Sequence, residues 1–194
     1  MKTNITEIHG PWDLGFVLDR QVESSSYLGD DEQGNPQFHT VRTEIGEAVY
    51  QLKYRSDFSK VDPLANELAS LAQKTFKSID VVVPMPPSKV RPKQPVIELA
   101  KAVAIKLSKK YSDSTLVKNS VTKQMKDLKT KDEKMAALLG SFTANQNLGS
   151  GPVDVLIVDD IFASGSSLEA ACNVLRGYGA VRNIFVLVLS RTKS

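Results

Sequence analysis

The stretch from residue 153 to 168 constrains the fold of this chain more than any other. Its apolar run, 155–158, ends in two carboxylates, Asp159 and Asp160, and small residues follow at 163–167. Apolar residues then recur with helical spacing. Short apolar runs bounded by turn signals are typical of parallel strands covered on both faces. The order strand, acid pair, loop and helix therefore predicts a parallel α/β sheet with a ligand at the carboxyl end of this strand.

The loop and the acid pair suit different parts of a ligand. Backbone N–H groups and hydroxyls beside a helix start favour phosphate, and here they come from Ala163, Ser164, Gly165, Ser166 and Ser167. Two adjacent carboxylates are better matched to a neutral polyol or a metal-bound ligand. A phosphorylated sugar would satisfy both halves. The alternative is a structural strand with a capped helix and two solvated acids.

A second candidate site follows another short apolar run, 79–83. The loop at 84–95 is rich in proline and carries the cations Lys89, Arg91 and Lys93. A rigid basic loop at the carboxyl end of a strand suits pyrophosphate. The same residues fit a solvated, proline-rich surface loop equally well.

Six lysines lie between residues 118 and 134, and three acids offset half of their charge. We expect 120–130 to form a mobile loop and 131–139 a short helix. A basic loop of this kind can close over an anionic substrate and exclude water. A solvated charged face is the alternative.

The rest of the chain predicts strands alternating with helices. Alternating apolar residues indicate a strand within 11–34, and stripes with helical spacing indicate helices over 43–54, from Asp62-Pro63 onward and over 95–110. A last buried strand is expected at 184–189. We therefore expect a three-layer, mainly parallel α/β domain at 43–194, preceded by a small β-containing hood at 1–42.

Composition excludes several other classes of protein. The sequence has no Gly-Lys pair, which excludes a Walker A loop. Its one cysteine, Cys172, excludes an internal disulfide and a cysteine-based zinc site. No apolar run approaches the roughly 18 residues of a membrane span, so we expect no membrane partner and a cytoplasmic location. The net charge of +3 does not by itself argue for nucleic acid.

The stretch 159–167 resembles the phosphoribosyl pyrophosphate (PRPP) motif of type I phosphoribosyltransferases: a strand, two acids, two or three spacers, and a loop of hydroxyl residues and glycine. Ala163 stands where a hydroxyl residue is common. The match extends over roughly 44–192 and is similar to the ComF competence branch of that family. It is carried by Leu52-Lys53-Tyr54, Val83-Pro84-Met85-Pro86, Leu99-Ala100, Gln124, Lys134, Gly140-Ser141-Phe142 and Ser190-Arg191-Thr192.

The chain departs from that branch at two places. The usual Arg-Gly-Phe-Asn segment is replaced by Arg91-Pro92-Lys93-Gln94. The N-terminal four-cysteine zinc ribbon of many members is absent from this sequence, so residues 11–42 must form a different cap.

The resemblance implies a magnesium-dependent transfer in which a nitrogen acceptor displaces pyrophosphate from C1 of PRPP. Asp159 and Asp160 would hold the ribose hydroxyls and act in catalysis, and the loop at 163–167 would hold the 5-phosphate. Magnesium would bridge pyrophosphate and ribose, with no ligand directly from the protein. Lys123 or Gln124 would close over the pyrophosphate, which would meet Met85, Pro86, Pro87, Ser88 and Lys89.

The resemblance also leaves alternatives open. In type I enzymes the hood selects the second substrate, and residues 1–42 contain no motif that identifies it. The chain could instead be a non-catalytic PRPP- or nucleotide-binding module of the ComF type, linked to DNA uptake or repair. A phosphoribohydrolase-like activity is a third possibility. Homodimers are common in the family.

Overall fold

The structure is a computed structural model that describes residues 1–89, 91–119, 140–149 and 151–192. The strands of the described residues are β1 (Thr6–Glu7), β2 (Leu14–Arg20), β3 (Val22–Asp30), β4 (Pro36–Arg42), β5 (Val81–Pro84), β6 (Lys110–Tyr111), β7 (Leu116–Lys118), β8 (Phe142–Ala144), β9 (Val153–Phe162) and β10 (Val181–Arg191). The helices are α1 (Glu44–Tyr54), α2 (Val61–Thr75), α3 (Pro95–Leu107) and α4 (Ser166–Arg176), with a short 3₁₀ turn at Phe58–Lys60.

A six-stranded sheet forms the middle layer, in the order β1-β2-β10-β9-β5-β6. Every neighbouring pair is parallel except β1 with β2 at one edge. Two antiparallel ribbons lie outside this sheet, β3 with β4 and β7 with β8. The prediction of a three-layer, mainly parallel α/β fold with a small N-terminal β element is confirmed.

Strand β9 is central because both of its faces are buried. Leu156 and Val158 point into a core shared with α1, α2 and α3, whereas Val155 and Ile157 point into a second core shared with α4. All four side chains are 0% exposed. Alternate residues of a strand face opposite sides of the sheet, so an uninterrupted apolar run is what a strand between two layers requires. Cys172 lies in the second core and is fully buried, as its position on the apolar face of α4 predicted.

The first two helices begin differently from each other. Thr43 caps α1 as expected, since its hydroxyl accepts a hydrogen bond from the backbone N–H of Gly46 at 2.9 Å. The helix expected from Asp62-Pro63 onward begins one residue earlier, at Val61, and Asp62 lies in its first turn. There the Asp62 carboxylate accepts a hydrogen bond from Lys106 of α3, which joins the two helices.

The N-terminal segment divides between the main sheet and a separate hairpin. Strands β1 and β2 pair within the six-stranded sheet, while β3 and β4 form a hairpin whose residues are mostly exposed. The domain boundary at residue 42 stays a prediction. The loop expected at 120–130 and the helix expected at 131–139 lie outside the described residues. No helix in the described part of the chain is long and apolar enough to cross a membrane.

The amino-terminal end of β9 is fastened by a buried carboxylate. Asp154 is 0% exposed and accepts two hydrogen bonds from Arg182, at 2.8 and 2.6 Å, and one from Asn183 at 2.8 Å. The hydroxyl of Ser78 donates to it as well. The bond with Arg182 is the main reason that the pKa of Asp154 falls to about 2. Buried charges are tolerated when they are paired in this way.

We predict that Asp154→Asn lowers the free energy of unfolding at pH 7 by on the order of 1–3 kcal/mol, because Arg182 loses its charged partner. Since the folded state depresses this pKa, the stabilisation is present above about pH 4 and is lost as the pH falls through the folded value near 2. Urea unfolding at pH 7 and pH 2.5 measures both effects, with the exposed Glu32→Gln as control. A variant as stable as the wild type at pH 7 would contradict the assignment.

Candidate functional site

A cavity of about 380 Å³ opens at the carboxyl ends of β5 and β9. These strands are neighbours in the sheet and run parallel, so the loops that follow them meet at one edge. The cavity is lined by the turn after β9, by the loop after β5, by the last turn of α1 and by residues of the β7–β8 ribbon. Open α/β sheets bind ligands at this edge.

The turn after β9 requires glycine at position 165. Gly165 has φ = +82°, a conformation that residues with a Cβ rarely adopt. A Cβ there would also lie 3.0 Å from the ring of Phe162. Phe162 is itself held by an edge-to-face contact with Trp12, with ring centroids 6.5 Å apart. The turn is therefore shaped by backbone conformation and by the aromatic ring beneath it.

The same turn leads into the start of α4, where the N–H of Ser166 donates to the Ser164 hydroxyl at 3.5 Å. Ala163, Ser164 and Ser167 are exposed, and the N–H of Glu169 donates to the carbonyl of Gly165 at 2.9 Å as an early bond of the helix. The N–H groups before Glu169 have no carbonyl within their own helix to bind. With the positive end of the helix dipole they form the kind of surface that attracts an anion.

The two carboxylates stand at the end of β9, half-buried beside this turn. The backbone N–H of Asp160 donates to the Asp159 carboxylate at 2.8 Å. Burial and the neighbouring charge of Asp160 nevertheless raise the pKa of Asp159 to about 7, against the opposing effects of that hydrogen bond and of Lys53 and Lys118. Desolvation and a like charge are both expected to favour the protonated form.

Lys53 binds the second carboxylate directly. Its Nζ lies 2.9 Å from each oxygen of Asp160, and the two side chains are 25% and 14% exposed. The helix that carries it, α1, is fixed against the end of β2: the Thr43 hydroxyl donates to the Arg20 carbonyl at 2.7 Å. A Cβ at Gly46 would lie 2.0 Å from the carbonyl oxygen of Gln21, so only glycine permits this approach.

The basic loop after β5 forms the opposite wall. Met85 is buried, and its N–H donates to the Val158 carbonyl at 2.9 Å, which ties the loop to the end of β9. Farther along, the Gln94 amide donates to the Lys89 carbonyl at 2.8 Å. Lys118 of β7 reaches Ser88 at 3.2 Å, so a second lysine faces the cavity from this side.

The structure brings most of the predicted site residues to one cavity. Asp159 and Asp160, Met85 through Lys89, and four of the five loop residues line it. Ser166 does not; its hydroxyl lies 3.0 Å from that of Ser164. Lys123 and Gln124 lie outside the described residues. The roles of all these residues as ligand contacts stay predictions.

Two lysines that line the cavity were not among the site residues predicted from the sequence. From the sequence, Lys53 was noted only within Leu52-Lys53-Tyr54, and Lys118 only as the first of six lysines that continue into a charged loop. Both line the cavity. No residue before Lys53 lines it, although residues 1–52 are all described. A basic residue near the end of a helix was the only local signal for Lys53.

The residues present fit a magnesium ion that is bound chiefly by its ligand. The described residues include no group of three or more His, Cys, Asp or Glu side chains that could hold a metal. Asp159 and Asp160 supply carboxylate oxygens, which suit Mg²⁺, but one of them is shared with Lys53. Mg²⁺ commonly takes one or two carboxylates and completes its shell with water and phosphate oxygens.

Solved structures similar to this one include two adenine phosphoribosyltransferases and a PRPP amidotransferase. Adenine phosphoribosyltransferase from Leishmania tarentolae has a TM-score of 0.51 at 6% identity, over 98% of this chain and 95% of that one. The enzyme from Leishmania donovani has 0.51 at 8%, over 97% and 86%. Glutamine PRPP amidotransferase from B. subtilis has 0.53 at 17%, over 81% of this chain and 34% of that longer one.

No protein-family model matches the sequence, and no curated protein matches it. At identities this low, structural similarity establishes the fold alone. The fold is that of the type I phosphoribosyltransferases. The fold alone assigns neither a branch of the family nor an activity or acceptor, so the proposed function rests on the geometry of the site.

We predict that Asp159→Asn stabilises the protein, by an amount that grows with pH. Folding raises the pKa of Asp159, so the native state holds a proton there that the unfolded chain has already lost. The wild type therefore loses stability from about pH 4 to about pH 7, whereas the variant does not. The difference should reach on the order of 1–3 kcal/mol by pH 8.

Urea unfolding of both proteins at pH 5 and pH 8 measures this difference. The matched control is Asp113→Asn, which removes an exposed carboxylate. It should change the free energy of unfolding by the same amount at pH 5 and at pH 8. A constant difference between wild type and Asp159→Asn across that range would show that the acid pair is not a strained, desolvated pair.

Proposed function

We propose that the chain is a phosphoribosyltransferase that uses PRPP and displaces pyrophosphate from C1 of the ribose with a nitrogen acceptor. One observation carries the proposal: an anion-binding turn, an acid pair and a basic loop line a single cavity at one sheet edge. PRPP carries a phosphate, two neighbouring hydroxyls and a pyrophosphate in that order, so each part of the molecule has a matching wall.

The 5-phosphate would take hydrogen bonds from the turn at 163–167, where the backbone at Gly165 lets N–H groups approach an oxygen closely. The hydroxyls at C2 and C3 would donate to Asp159 and Asp160. Pyrophosphate would lie against the residues that follow β5, with Lys89 and Lys118 on that side of the cavity.

The acid pair also suits the charge that develops during the transfer. The bond from C1 to the pyrophosphate oxygen breaks as the bond to the acceptor nitrogen forms, and positive charge accumulates on the ribose. Carboxylates fixed beside the sugar stabilise that charge more than they stabilise the ground state. Bound magnesium would neutralise the leaving pyrophosphate, and its protein ligands, if any, would be Asp159 and Asp160.

The acceptor is the part of the proposal that the cavity defines least. The N-terminal hairpin, which we proposed as a hood, does not line the cavity. It reaches the cavity only through α1: Arg42 at its base lies 4.0 Å from the ring centre of Tyr50, which packs on Tyr54 at 5.5 Å. Tyr54 is 57% exposed and lines the cavity, and we propose that its ring contacts the incoming acceptor.

A second candidate is a non-catalytic PRPP- or nucleotide-binding module of the ComF type. One observation favours it: the segment between β5 and α3 departs in sequence from the usual pyrophosphate loop. Lys93 holds this segment against its neighbours, since its Nζ lies 4.2 Å from the ring centre of Phe58 and 3.8 Å from Glu98. A protein that binds PRPP but holds its pyrophosphate group poorly would detect PRPP without catalysing the transfer. Homodimerisation remains part of either proposal.

Titration calorimetry with PRPP and magnesium distinguishes these proposals. An enzyme should bind PRPP and release pyrophosphate with one member of a panel of purines, pyrimidines and ammonia. Binding without release across the panel would favour the sensing module. Failure to bind PRPP or ribose 5-phosphate in a folded protein would rule out both.

We predict that Asp160→Asn weakens PRPP binding by roughly tenfold or more, since a charged acceptor for the ribose hydroxyls is lost. Its melting temperature should change by only a few degrees, because both Asp160 and Lys53 retain access to water. Asp113→Asn is the matched control for binding. A variant that unfolds would instead indicate that the acid pair is structural.

A further inference from the structure

Among the described residues, one cation is in direct contact with the acid pair, and it comes from a distant part of the chain. Lys53 is 107 residues from Asp160 in sequence, yet its Nζ is 2.9 Å from both carboxylate oxygens. Asp159, its neighbour on the same strand, accepts the backbone N–H of Asp160 instead. The two acids are therefore differently supported: one by a full charge, the other by a peptide group.

This difference determines which carboxylate is fixed in place. A lysine equidistant from both oxygens restricts rotation of the Asp160 carboxylate. The carbonyl of Asp160 is also restrained, because the Ser190 hydroxyl lies 3.4 Å from it and can donate. A carboxylate held in one orientation is a better acceptor for a sugar hydroxyl than a freely rotating one.

Lys53 is also placed so that it can keep this contact with a ligand present. The side chain is only 25% exposed and enters from the last turn of α1, a helix whose Ile45, Val49 and Leu52 are buried in the core. Ser164 and Gly165 line the same cavity from the turn after β9, which follows the acid pair in the sequence. We expect the lysine to stay on Asp160 while a phosphate occupies the turn, because the two groups would bind different partners: Asp160 for the lysine and backbone N–H groups for the phosphate.

We infer that Lys53 is the positioning residue of the sugar-binding half of the site: by pinning Asp160, it makes the chain prefer ribose 5-phosphate over inorganic phosphate. This inference rests on the proposed function and assigns a role that the phosphate-binding turn cannot supply. The turn binds the phosphate group of both ligands equally. Only the acid pair can distinguish them, and Lys53 acts through it.

The test is calorimetric titration with ribose 5-phosphate and with inorganic phosphate, which share the phosphate but not the sugar. The wild type should bind ribose 5-phosphate about tenfold more tightly than phosphate. Lys53→Met should lose most of that preference and leave phosphate binding within about threefold, because the turn is intact. Lys53→Arg should retain the preference, since a guanidinium can also bind both carboxylate oxygens.

Two further variants separate positioning from general charge. Lys93→Met removes an equal charge from the neighbouring loop, at a side chain that does not line the cavity, and should keep the wild-type preference. Adding Lys53→Met to Asp160→Asn should change ribose 5-phosphate binding no further, because a residue that acts through Asp160 has no effect once that carboxylate is gone.

The outcomes are distinct. A wild type that binds neither ligand contradicts the proposed function itself. A wild type that prefers ribose 5-phosphate, with the preference intact in folded Lys53→Met, overturns only the role of Lys53. An additional loss from Lys53→Met in the Asp160→Asn background would show that Lys53 touches the ligand directly and would also overturn the inference. Lys53→Gln repeats the test if Lys53→Met does not fold.

Discussion

Two carboxylates lie side by side at the end of a buried strand and repel each other. Their surroundings compensate the two charges to different extents. Lys53 compensates Asp160 by direct contact, whereas Asp159 keeps a raised pKa because burial and its neighbour disfavour its charge. The arrangement destabilises the folded protein at neutral pH. Carboxylates in such an arrangement are suited to bind a ligand that brings hydroxyl groups or positive charge.

The two ends of β9 carry acids in opposite environments. Asp154, at the start of the strand, is fully buried, yet Arg182, Asn183 and Ser78 satisfy it and its pKa falls to about 2. Asp159, five residues later, has a pKa of about 7. The same strand thus carries one carboxylate whose charge the fold stabilises and one whose charge it opposes, and only the second faces a cavity.

Local patterns in the sequence predicted the features that local physics controls. The apolar run of β9, the glycine at 165 and the cap at Thr43 follow from burial, backbone conformation and unpaired N–H groups, which neighbouring residues determine. Contacts between distant segments were not predictable in this way. Asp62 binds Lys106, β8 pairs with β7, and Lys53 reaches Asp160 across 107 residues. The hairpin does not contribute to the lining of the cavity, whereas the last turn of α1 does.

The central claim is that one ligand spans the turn after β9 and the acid pair beside it. The most direct measurement is a crystal structure of the protein with ribose 5-phosphate. The account predicts phosphate oxygens within hydrogen-bonding distance of backbone N–H groups between Ser164 and Ser167, and sugar hydroxyls on Asp159 and Asp160. A well-ordered ligand bound elsewhere on a correctly folded molecule, with this turn vacant, would contradict it.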